Sequence, residues 1–90
     1  MIEDILNKDR AEALFNSKAV FINGRDVIGR EDAIAVLGKA PFEYAIKHAE
    51  NAINGYGIGS YTFMYMTKQA FFMGITYRNI EIIAQAAKSL

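Results

Sequence analysis

The sequence predicts an α+β fold, mainly α, with one short β-hairpin (about 18–28) packed on three to four helices (about 2–15, 30–37, 41–53 and 60–88). Three observations carry this reading. Apolar residues recur at i, i+3, i+4 and i+7 spacing along much of the chain, which gives a helix one apolar face. Asn23-Gly24 separates two short runs of β-branched and aromatic residues, and both residues of a tight hairpin turn must accept positive φ. Gly38, Pro41 and Asn54-Gly55 then punctuate the middle of the chain where helices should stop or start.

In order, Ile2, Ile5, Leu6, Ala13 and Leu14 form the stripe of a first helix, and Asn16-Ser17 ends it. The hairpin follows. A lone two-stranded hairpin is marginal in water, so it must pack on the helices or extend a sheet elsewhere. Helix two carries Glu31 and Asp32 in its first turn, where acids favour the helix dipole. Helix three opens at Pro41, where a missing N–H is harmless. Phe42, Ala45, Ile46, Ala49, Ala52 and Ile53 then share one face, making it the cleanest amphipathic segment.

After the Asn54–Ser60 loop, two readings compete. Phe63, Met66, Ala70, Met73, Tyr77, Ile80, Ala84 and Ala87 step by three and four as one helical seam. The rival is a hairpin, Tyr61–Met66 against Ala70–Thr76. Its turn would be Thr67-Lys68-Gln69, which lacks Gly, Asn, Asp and Pro, and this favours the helix.

Ninety residues make one domain, 1–90. Ten basic and ten acidic side chains leave no net charge, so no global field draws in nucleic acid or anionic lipid. There is no cysteine, hence no disulfide framework and no thiolate metal site. The acidic Met-Ile-Glu-Asp start is unlike a signal peptide. The apolar run Tyr61–Ile75 is too short to span a bilayer. A cytoplasmic protein without membrane attachment is expected. One histidine, His48, makes neither a metal site nor a nucleophile pair. No catalytic residues, cofactor or metal are expected.

Gly29-Arg-Glu-Asp-Ala-Ile-Ala-Val-Leu-Gly-Lys-Ala-Pro41 places two helices around a short glycine turn, the pattern of a helix-turn-helix. Over residues 29–48 it resembles excisionase-type and repressor-type helix-turn-helix domains, with Ile34 where that family usually carries a small residue. The resemblance implies a DNA-binding regulator in which Lys39, Lys47 and His48 meet phosphate or base edges. A second stretch, 68–83, is similar to the family in its Ala70, Gly74, Ile75 and Ile80 spacing, and implies Arg78, Asn79 and Gln85 as the DNA-facing residues. The plainer reading of both is helices packed on a core, with Gly74 permitting close approach.

Two further sets stand out. Gly55, Gly57, Gly59 and Ser60 form a glycine-rich loop whose backbone N–H groups could receive a phosphate or small ligand. Its spacing matches neither dinucleotide nor P-loop fingerprints, and a helix C-cap with a connector is the plainer account. The aromatic-methionine cluster from Tyr56 to Tyr77 exceeds what so small a core can bury. Aromatics and Met are typical of interface centres. Phe63, Met66, Ala70, Met73 and Tyr77 are expected inside. Tyr56, Tyr61, Tyr65, Lys68 and Phe72, with some of Met64 or Phe71, are expected to face a partner. The sequence therefore reads as a small, non-enzymatic interaction module of inhibitor or adaptor type. It would self-associate as a homo-oligomer and bind another protein, with DNA as the alternative partner and a small ligand at the glycine loop as the third.

Overall fold

The computed structural model describes residues 2–22, 24–53 and 65–89. A 3-10 turn (Ile2–Asp4) leads into α1 (Lys8–Lys18), β1 (Val20–Ile22), β2 (Arg25–Gly29), α2 (Arg30–Leu37), α3 (Lys39–His48), β3 (Tyr65–Thr67) and α4 (Lys68–Lys88). The fold is α+β and mainly α, as the apolar spacing predicts.

The hairpin forms with Val20 opposite Val27 and Ile22 opposite Arg25. Gly24 takes φ +77° in its turn, a conformation that favours glycine; Asn23 lies outside the described residues. A third strand completes the sheet in the order β1-β2-β3, with Val27 opposite Thr67 and Gly29 opposite Tyr65. That resolves the marginality of a lone hairpin within one chain.

Element boundaries depart from the sequence expectation where a local polar contact competes with the helix. The first helix does not run from residue 2. Asn7, extended at ψ 170°, accepts a hydrogen bond from the Arg10 N–H at 2.8 Å and so starts α1. Helix three ends at His48 rather than 53. Ala49 is extended, Asn51 takes φ +54°, and the chain turns so that the Ala52 carbonyl accepts from the Thr67 N–H at 3.0 Å. Pro41 is the third residue of α3, still within the unbonded first turn.

The largest correction concerns α4. Residues 65–67 are strand, so the helix expected from 60 begins at Lys68. Thr67 ends β3 and caps α4 at once, its Oγ1 accepting from the Ala70 N–H at 3.3 Å. A strand-to-helix junction needs a capping hydroxyl, not turn residues, so the missing Gly or Asn at 67–69 did not exclude a strand before it.

The core gathers Leu6, Phe15, Ile28, Leu37, Phe42, Met66, Phe71 and Ile75 around the alanines that let the helices close. Gly74 is one such approach: a Cβ there would stand 2.7 Å from a methyl of buried Leu37. The expected close packing at Gly74 is therefore real, and it joins α4 to α2.

Candidate functional site

Helices α2 and α3 are joined by Gly38 alone, at φ +90° and ψ 158°, rather than by the expected three residues. Its carbonyl accepts from the Phe42 N–H at 3.1 Å. Pro41, Phe42 and Ala45 turn α3 inward against the core. Its exposed residues include Lys39, Glu43, Tyr44, Lys47 and His48. Alongside it α2 exposes Glu31 and Asp32, which repel phosphate. At about 100° per residue, Lys39 and His48 fall on opposite sides of α3 with Lys47 and Glu43 between them, so the three do not converge on one basic face.

The second set expected to meet DNA is divided between structure and surface. Asn79 accepts from the Leu6 N–H at 3.1 Å and donates through Nδ2 to the Leu6 carbonyl at 2.9 Å. Arg78 donates to the Asp4 carbonyl at 2.9 Å. Both side chains hold the N-terminal segment on α4. Gln85 is exposed, two turns further on.

The expected partner surface is also rearranged. Phe71 is fully buried and its ring lies 5.3 Å from that of Phe15, tilted by 55°, so no part of it faces a partner. Phe72 is half-buried against the core and Tyr65 half-buried in β3. Lys68 donates to Glu12 at 2.8 Å and lies 5.9 Å from the Phe15 ring centre and 6.0 Å from that of Phe72, a cation over aromatic faces. Tyr56, Tyr61, Gly55, Gly57, Gly59 and Ser60 lie outside the described residues. Met66 and Ala70 are buried as expected. Met73 and Tyr77, expected inside, are only half-buried.

Those two line an apolar groove among the described residues. Tyr44, Met73, Thr76, Tyr77 and Ile80 bound an open, mainly apolar groove of about 350 Å³ between α3 and α4. Tyr44 is central to its wall. It stacks on Tyr77 at 4.5 Å and 24°, and meets His48 on α3 at 4.4 Å. The Glu81 carboxylate accepts from the Tyr77 hydroxyl, and its bond and its charge hold the phenol above its ordinary range. Ile80 is 60% exposed and Ile83 49%. Met73, Thr76, Tyr77, Ile80, Ile83, Ala84 and Ala87 continue the groove as one stripe to the end of α4. The three-and-four seam was visible in the sequence. Spacing alone does not show where along the seam the core ends and the exposed surface begins.

The ion pair at Glu12 supports a pH prediction. Its hydrogen bond from Lys68 and that cation's charge hold the carboxyl below its ordinary 4.5. A lowered folded-state value means stability present above pH 4.5 and lost as pH falls through the folded value. Thermal melts should show this acid limb in the wild type and a shallower one in Glu12→Gln. Because both side chains are over 40% exposed, 1 M salt should remove most of the difference.

Among the described residues no cluster of three His, Asp or Glu could hold a metal ion, and no helix is long and apolar enough to cross a membrane. Comparison with protein-family models, characterised proteins and solved structures finds no match.

Proposed function

We propose that this chain is a non-enzymatic protein-binding module of inhibitor or adaptor type. It self-associates and presents the assembled surface to a partner protein. The observation carrying this reading is the α3–α4 groove with its apolar continuation along α4. Large exposed apolar side chains grouped on one face, with tyrosines at their centre, are the composition of an interface core. On this surface Ile80 and Ile83, exposed in the single chain, gain most from being covered. The cysteine-free composition suits a reducing cytoplasmic setting.

The DNA-regulator reading has less support. Arg78 and Asn79 are occupied by the N-terminal segment, and acidic groups flank Lys39 and Lys47. Base-reading helices need donors aimed outward from a basic surface.

Size-exclusion chromatography with light scattering, with and without nuclease, tests the proposal. The wild type is expected to give a nuclease-resistant species larger than one chain, and Ile80→Glu a monomer. Ile80 is exposed, so at concentrations where both are monomeric the variant should differ from the wild type by no more than about 0.5 kcal/mol. A wild-type monomer, or a large species that nuclease dissolves, would sink the reading.

A further inference from the structure

The last three turns of α4 hold a pattern that selects their own occupant. Between Ile80 and Lys88 only Ile82 and Ala86 are half-buried, and every other residue is exposed. The stripe is graded by size. Ile80 and Ile83 stand at its N-terminal end and Ala84 and Ala87 at its C-terminal end. Glu81 and Lys88 lie two turns apart along one rim, about 10 Å from each other on the axis. The opposite rim at this level carries Asn79 and Ala86, without charge.

We propose that the occupant is a second copy of this chain, its α4 laid antiparallel across residues 80–88. This rests on the self-association reading and adds the orientation. A two-fold axis perpendicular to paired antiparallel helices brings like rims together. Glu81 then faces Lys88 of the second copy, twice over. The same reversal sets Ile80 and Ile83 against Ala84 and Ala87 of the second copy, large against small, so the helices close without a void. It also opposes the helix dipoles. A parallel pair fails on both counts. It would set each charged rim against the uncharged one, and isoleucine against isoleucine at one end with alanine against alanine at the other. The overlap is short, so the contact falls at the small end of specific interfaces, below about 1,200 Å², and assembles in a concentration-dependent way.

The test is charge exchange, read by sedimentation velocity on the full chain across a concentration series. E81K and K88E should each weaken self-association about tenfold, because each replaces two attractive pairs with two repulsive ones. The double variant E81K/K88E should return to within about threefold of wild type. A double variant as weak as the single ones overturns the antiparallel pairing. So does indifference to all three while Ile80→Glu still dissociates the assembly, and that result leaves self-association through the groove standing. A wild type that is monomeric throughout removes both. All these positions are exposed, so coincident melting curves at concentrations where every chain is monomeric certify the variants as folded.

Discussion

Truncating Phe71 to alanine is expected to destabilise the chain by about 3–5 kcal/mol. The ring is fully buried, 5.3 Å from Phe15 at 55° and 6.0 Å from Phe72 nearly edge-on. It lies where α4 meets α1, and Lys68 approaches both neighbouring rings from above. The loss combines transfer of the ring to solvent, the cavity left behind and two aromatic contacts. A domain of this size is held by about 5–13 kcal/mol in all, so the variant should be near its folding threshold at 37 °C. Phe71→Leu keeps more of the volume and should cost about half as much. Urea denaturation checks this: the midpoint should fall sharply with the slope unchanged. An alanine variant with the wild-type midpoint would mean that the ring is not in the core.

How much of this was legible in the sequence follows from which forces act locally. The hairpin, the acidic start of α2, the break at Gly38 and the buried face of α3 are set by φ preferences, dipoles and periodicity, all of which a short window contains. The third strand was not legible. Tyr65-Met-Thr67 is a strand because β2 lies beside it, and its register with Val27–Gly29 joins segments that α2 and α3 separate in the chain. Thr67 offered a clue, since a hydroxyl before an apolar helical run is a capping signal. The site was half legible. The α4 stripe reads directly from spacing, but a helix seam looks the same whether it meets a core or water. Only the packed fold shows that Phe71 and Ile75 belong inside while Ile80 and Ile83 do not. Tyr44, central to the groove wall, carried no warning in the sequence beyond lying opposite the Phe42 and Ala45 face.

The polar residues of α4 teach the same lesson in reverse, and Asn79 gives it the sharpest test. Its position beside Arg78 on a motif-like helix suggests an outward-facing reader of bases, because Asn and Arg are residue types that read base edges. In the fold, Asn79 instead replaces a backbone partner. Leu6 follows a 3-10 turn and precedes α1, so its N–H and carbonyl belong to neither, and the amide of Asn79 satisfies both. Leu6 itself is 6% exposed and part of the core, so water cannot readily take over. Asn79→Leu should therefore cost about 1–3 kcal/mol, from two part-buried groups left unpaired. Asn79→Asp keeps the acceptor but loses the donor and sets a carboxylate against the Leu6 carbonyl, so it should cost a similar amount. Gln85→Ala, two turns along on exposed helix, should change stability by less than about 0.5 kcal/mol. Hydrogen exchange separates a local from a global effect. Amides of the N-terminal segment around Leu6 should lose protection in Asn79→Leu before those of the α4 core around Phe71 do. If Asn79→Leu melts like the wild type and leaves those amides protected, the side chain is not what seats the N-terminal segment. Its amide would then be open to the outward role that the sequence suggests.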